Sequence, residues 1–280
     1  MGPIGVWSGE RAETAAELDQ LGYAAAWLPA GADEGRLEAF REMLDASSRL
    51  VLATGILSIW TTVPETVASG QRALVEKHAG RFVLGLGVSH PHLVERLGQQ
   101  WERPLDKMAA YLDGLDRANP PVPAGERVLA ALGPRMLELS RDRAGGAHPY
   151  LVTPEHTRRA REVLGPGPLL APEQKVILER DAARARSLAR ERVAMYLGAP
   201  NYRRNLVRLG FGPDDLDHGG SDRLVDALVV WGDPDAVVAR VKEHRDAGAD
   251  HVCLQVLVPE RRLPLDEWRQ LADALLPEGR

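Results

Sequence analysis

The chain has 280 residues, 44% hydrophobic and 27% charged, with a formal net charge of −5. That length suits one α/β barrel and is enough to bury a core without staples. The acidic balance, with no basic stripe to neutralise phosphates, argues against a nucleic-acid partner. The single cysteine, Cys253, excludes an intramolecular disulfide or a cysteine-based metal site, and its apolar surroundings predict a buried, inert thiol. The start, Met1-Gly2-Pro3-Ile4, has neither a basic end nor an apolar core, so no signal peptide is expected. The longest uncharged segment, 50–64, is too short and too rich in Ser and Thr to span a bilayer; the expectation is a cytoplasmic protein with no membrane partner.

In chain order, residues 4–7 read as a short apolar strand, followed by an amphipathic helix stopped by Gly22. A second strand spans 24–28 and a helix 37–47. The third strand, 50–57, carries Gly55 inside it, and glycine there marks a bulge or a close approach. A helix over 65–77 leads to the fourth strand, 82–86, and Gly87, Ser89, His90 and Pro91 stand just past its carboxyl end. A polar loop follows, then a helix from Pro104, a fifth strand at 128–132 and a helix over 135–143. The sixth strand, 147–152, ends on Thr153 as N-cap with Pro154 at N1. A helix to Leu164 is followed by a weak seventh strand at 175–178 and a long helix over 181–197. Residues 198–232 break the alternation and read as an insertion holding one helix at about 223–230. A helix ending at Gly248, an eighth strand at 251–258 and a helix over 265–276 close the chain. Eight strand–helix alternations in one composition regime predict an α/β protein with a single (β/α)8 TIM-type barrel and an insertion after strand seven; an open doubly wound sheet is the alternative.

In such a barrel the chemistry lies at the carboxyl ends of the strands. The stretch Gly85-Leu86-Gly87-Val88-Ser89-His90 begins like a dinucleotide fingerprint, but His90 stands where the third glycine belongs, and a Rossmann reading fails. No Walker lysine, HExxH or nucleophile elbow is present. His90, His92 and His148 approach the barrel mouth, but without a carboxylate at ligand spacing no metal site is expected. His78 and His156 lie on helices and are expected at the surface. Ala144-Gly145-Gly146-Ala147 could expose backbone N–H groups as an anion nest or form an ordinary helix cap.

Gly80-Arg81-Phe82…Gly85-x-Gly87 resembles the strand-four motif of the luciferase-like flavin and deazaflavin oxidoreductases. Gly55-Ile56-Leu57-Ser58-Ile59-Trp60-Thr61-Thr62-Val63-Pro64 is similar to that family's strand-three segment. Val88-Ser89-His90-Pro91 and Ala147-His148-Pro149-Tyr150-Leu151-Val152-Thr153-Pro154 look most like its coenzyme F-420 (deazaflavin) subgroup. The resemblance spans nearly the whole chain.

It implies a non-prolyl cis peptide and bulge at Gly55–Ile56 supporting the cofactor ring. The implied cofactor-binding residues are Gly55, Ile56, Leu57, Gly87, Val88, Ser89, Gly145, Gly146, Ala147 and His148, with the glycine pair at the phosphate. His90 is the expected proton donor or acceptor, since a histidine titrates near operating pH, and Trp7, Trp60 and His92 are the expected substrate pocket. One departure stands out. Relatives tend to carry an acidic or imidazole group after strand two, whereas Leu28-Pro29-Ala30-Gly31 offers none; Asp33 and Glu34 lie close in sequence. The implied activity is F-420-dependent hydride transfer with a small organic substrate, in a homodimer. FMN-dependent, oxygen-using monooxygenation and a non-catalytic flavin-binding barrel are the alternatives.

Overall fold

The structure, a computed structural model, describes residues 1–8, 12–29, 35–259 and 262–276. Its strands are β1 (Ile4–Trp7), β2 (Ala25–Leu28), β3 (Val51–Thr54), β4 (Leu57–Ser58), β5 (Phe82–Gly87) and β6 (Arg127–Leu129). They continue as β7 (Gly146–Ala147), β8 (Leu169–Leu170), β9 (Glu173–Ile177), β10 (Val229–Trp231) and β11 (Val252–Val256). All belong to one sheet ordered β10-β9-β11-β1-β2-β3-β5-β6-β7-β8, with β4 beside β5, and the pairs are parallel.

The sheet curls in the manner of a TIM barrel. β8 and β9 are separated only by Ala171-Pro172. On one edge of that stretch Ala171 N–H donates to Ala147 O at 2.9 Å and Glu173 N–H to Pro149 O at 2.9 Å. On the other edge Pro172 O accepts from Cys253 N–H at 2.9 Å and Val176 O from Leu257 N–H at 2.8 Å. β10 pairs with β9 through Val229↔Lys175 to Trp231↔Ile177, beyond where the short β7 has ended.

Period-two alternation sorts the side chains into two layers. Ala25, Trp27, Ala53, Val128, Ala171 and Cys253 form one cluster inside the curl. Their neighbours Ala26, Leu28, Leu52 and Leu254 join the larger core beneath the helices. Small residues leave room for Trp27, which is fully buried. Burying an indole of roughly 200 Å² contributes up to about 5 kcal/mol at ~25 cal/mol per Å².

Helix starts follow the capping chemistry. Thr153 accepts from His156 N–H with Pro154 at N1, Asp181 from Arg184 N–H, and Asp233 from Ala236 N–H with Pro234 at N1. The third strand is two strands, split at Gly55–Ile56. The loop after Pro91 holds a helix, Pro91–Arg96, which short polar sequence did not reveal. The sixth strand is shorter than its apolar run: past Ala147 the pairing continues only as single bonds, His148 N–H to Leu129 O and Glu173 N–H to Pro149 O, each at 2.9 Å, and the chain turns away at Leu151, whose φ is 55°. Residues 198–232 hold three helices, Pro200–Arg208, Pro213–Leu216 and Asp222–Leu228, and Val230 belongs to β10 rather than to a helix. His78 and His156 are buried, against expectation: His78 pairs with Asp45 at 2.9 Å, and His156 Nε2 donates to Leu132 O at 2.9 Å. Among the described residues no helix is long and apolar enough to cross a membrane.

Candidate active site

The site is built around the break in the third strand. The Gly55–Ile56 peptide is cis, as the family resemblance implied. Pairing shifts by one residue across it: Ala53 stands opposite Val83, but Leu57 opposite Leu86. That is a bulge, and Thr54 fills the gap it leaves in the ladder. Thr54 Oγ1 donates to Gly85 O at 2.6 Å and accepts from Gly85 N–H at 2.7 Å.

The two glycines of β5 are what the bulge requires. A Cβ on Gly85 would lie 1.9 Å from Thr54 O, and one on Gly87 would lie 2.4 Å from Ile56 Cδ1. Gly55 O accepts from Trp7 Nε1–H at 3.2 Å, which ties the bulge to the end of β1.

Above the bulge lies a pocket of about 240 Å³ lined by Trp7, Gly55, Ile56, Ala130, His148, Tyr150, Tyr196, Tyr202 and Gln255. Trp7, Ala130, His148 and Tyr150 come from strand ends or the residues just beyond them, and Gln255 is the penultimate residue of β11. Tyr196 and Tyr202 come from the helices Ala182–Leu197 and Pro200–Arg208. All strand-borne members stand at carboxyl ends, where this architecture places its chemistry.

His148 is buried and stacks on Trp27 with ring centroids 4.0 Å apart and planes at 11°. Its Nδ1 lies 2.7 Å from Ala171 O, and a carbonyl only accepts, so Nδ1 carries the proton. Nε2 is left as a buried acceptor with no partner among the described residues. Burial is the main cause holding its pKa down to about 4, so the ring is neutral at pH 7. The three tyrosines keep their protons: burial first, then neighbouring negative charge or tyrosines, pushes Tyr150 and Tyr202 well up, and burial also raises Tyr196.

Behind this wall lies a buried ion pair, Lys175 Nζ to Glu173 Oε1 at 3.0 Å, with both side chains at most 2% exposed. Both point into the curl between β9 and β11. Lys175 Nζ also meets Gln255 Oε1 at 2.7 Å and sits 3.9 Å from the Tyr150 ring centroid. Sequence reading passed over this pair because β9 read as a weak strand.

His90 caps the helix Pro91–Arg96 without using its side chain for the cap. Its ring lies 5.8 Å from the Tyr202 ring and 5.9 Å from that of His92, so it adjoins the pocket rather than lining it. Its Nδ1 is buried without a partner among the described residues. Burial, and then His92, lower its pKa. Ser89 takes a positive φ of 59°, and Val88 O accepts from Trp60 Nε1–H at 2.8 Å.

Several expected members are elsewhere. Trp60 is buried against Trp101, with its N–H spent on Val88, so it supports the loop rather than the pocket. His92 is exposed on its helix. Leu57 lies beneath the bulge in the core. Gly145 and Gly146 precede and begin β7, at the amino end of the strand and opposite the mouth. Gly145 N–H donates to Arg127 O at 2.8 Å, so it offers no nest, and Ala147 is sealed in the ladder. Ala30, Gly31, Asp33 and Glu34 lie outside the described residues. Among the described residues no cluster of three histidine, cysteine or carboxylate groups could hold a metal ion.

A curled parallel sheet, a cis bulge on its third stave and an aromatic pocket above it define the class of fold and site. The family model described as luciferase-like monooxygenase matches residues 9–251, and the chain belongs to that family. It is therefore an enzyme of the oxidoreductase class. It is 27% identical over 253 residues to a 5,10-methylenetetrahydromethanopterin reductase of Methanolobus tindarius, covering 74% of this chain and 77% of the relative. In fold it is similar to an F420-dependent secondary alcohol dehydrogenase in complex with an F420-acetone adduct, with TM-score 0.74, 13% identity and full coverage of both chains. It is also similar to the oxygenating constituent of 3,6-diketocamphane monooxygenase of Pseudomonas putida in complex with FMN, with TM-score 0.66, 14% identity, and 99% and 98% coverage.

Proposed function

We propose that this enzyme is a deazaflavin (coenzyme F-420)-dependent oxidoreductase that moves a hydride between C5 of the ring and a small organic substrate. The observation that carries the reading is the pocket over the cis Gly55–Ile56 bulge. Its volume of about 240 Å³ is ring-sized rather than cofactor-sized. The residues fit a flat, N–H-bearing heterocycle. An added methyl on Gly55 would crowd Trp7 Nε1 at 3.2 Å and one on Gly87 would crowd Ile56 Cδ1 at 2.4 Å. Glycine at both lets these lining side chains stay where they are, and the bare Nε2 of His148 is an acceptor for an N–H. The F420-bound structural relative supports the same cofactor.

In this reading Gly55 and Ile56 support the ring, with Leu57 beneath them, and Val88 and Ser89 shape the loop at its edge. His148 accepts the ring N–H, and Trp7, Tyr150, Tyr196 and Tyr202 exclude water. The bound deazaflavin supplies the site that accepts or donates the hydride. His90, whose ring stands 5.8 Å from that of Tyr202 at the edge of the pocket, exchanges the proton that accompanies it. Being neutral at pH 7, it serves as the base when substrate is oxidised. The same reading counts eight staves with residues 198–232 inserted after the seventh, and takes the active form as a homodimer.

Fluorescence titration with F-420 and with FMN tests it. Quenching by F-420 with a Kd at least tenfold below that for FMN is the expected result; binding of neither overturns the proposal. The FMN-bound relative supports a second reading, an oxygen-using monooxygenase, which oxygen consumption with reduced FMN would favour.

A further inference from the structure

The buried charge behind the pocket has no part in that scheme, yet it fixes which atoms the wall presents. An ammonium only donates, so the Gln255 atom 2.7 Å from Lys175 Nζ is the carbonyl oxygen. The Tyr150 hydroxyl lies 2.7 Å from that same oxygen and must donate to it. With its proton so committed, Tyr150 can meet the Tyr196 hydroxyl, 3.0 Å away, only as acceptor. The Tyr196 proton therefore points back toward Tyr150. The chain of donors converges on Gln255 Oε1, and Gln255 lines the pocket with its amide N–H₂ paired to no partner among the described residues.

We propose that Lys175, without touching the ligand, orients Gln255 so that its amide nitrogen donates to a carbonyl oxygen of the bound ring. Lys175 is thus a positioning residue and Gln255 a binding one. The inference rests on the function proposed above and adds the polarity of its site. Glu173 keeps Lys175 in place: its Oε1 holds the ammonium at 3.0 Å, and its Oε2 accepts from Leu151 N–H at 3.0 Å. The wall then offers an N–H donor at Gln255 and an acceptor at His148. That pattern matches a heterocycle carrying both a carbonyl and an N–H, and it disfavours a plain hydrocarbon or an ammonium ligand.

The experiment uses F-420 as probe with three proteins: the wild type, Gln255→Glu and the double variant Lys175→Met/Glu173→Gln. Gln255→Glu keeps an acceptor for Lys175 and Tyr150 but cannot donate to the ligand. The double variant removes both buried charges together, so neither is stranded. Expected are an approximately tenfold weaker Kd for Gln255→Glu, a threefold or larger loss for the double variant, and a displaced absorption maximum of bound F-420 in both. A purely structural role would not move the bound spectrum. Unchanged Kd and spectrum in both variants, with wild-type binding intact, overturn this inference alone. Failure of the wild type to bind F-420 overturns it together with the function it rests on.

Discussion

At Gly87 an added methyl group would arrive 2.4 Å from Ile56 Cδ1, the flexible end of a side chain, rather than from backbone. Gly87→Ala is therefore expected to fold, with Ile56 pushed into the ring pocket. Its F-420 affinity should fall about tenfold or more while its unfolding free energy, read by urea titration, falls by only about 1–2 kcal/mol. His90→Ala should lower kcat about 100-fold and leave the F-420 Kd within about threefold, because the ring stands beside the pocket rather than in it. The pH dependence has a definite sign. His90 has a lowered pKa, so its basic form is already dominant at pH 7. Substrate oxidation should be flat near neutrality and decline as pH falls through that lowered value. A kcat profile whose acid limb persists in His90→Ala would refute the assignment.

At the level of elements, the amino-acid pattern disclosed the strand that matters and misjudged the loops around it. Residues 82–86 read as a strand and are one, extended by Gly87, because a buried apolar run has few alternatives. Gly55 signalled a bulge, and the structure explains Gly85 and Gly87 as its steric consequence. Gly145 and Gly146 carried no such information. A glycine pair before a strand lies at the amino face of a curled parallel sheet, and their position in the order of elements already said so. Tyr196 and Tyr202 were illegible because nothing local tells a helix which way to lean over a barrel mouth. Another element depends on one carboxylate. Asp19 accepts from Ser48 N–H at 2.8 Å, Arg49 N–H at 3.0 Å and Leu50 N–H at 2.8 Å, pinning the lead into β3 to the first helix. Asp19→Ala should cost about 3 kcal/mol, read as a lowered Tm, because these amides lose a shared acceptor. Burial pushes the Asp19 pKa up, but the hydrogen bonds outweigh it and the net shift is downward. Its contribution is therefore present above the ordinary carboxylate range and is lost as pH falls through its lowered value.

Across the whole molecule, the pocket draws on two bodies of structure with different cores. The strand ends belong to the curled sheet, whereas Tyr196 and Tyr202 stand on helices whose cluster is anchored to the sheet through Leu151, Ile177 and Val229. That cluster includes Ala185, Ala189, Val193, Leu206, Leu224 and Val225. Seams of surface ion pairs, such as Arg186–Asp226 at 2.6 Å and the Arg190–Asp222 pair, link those helices to one another rather than to the barrel. One contiguous stretch of chain, 182–228, thus supplies a whole side of the cavity, and it is seated on the sheet through Ile177 and Val229. Exchanging that stretch for the corresponding one of a relative, with Tyr196, Tyr202 and the seat on Ile177 and Val229 retained, should retune which substrates are admitted, so selectivity in this scaffold can diverge by segment replacement while the sheet stays as it is.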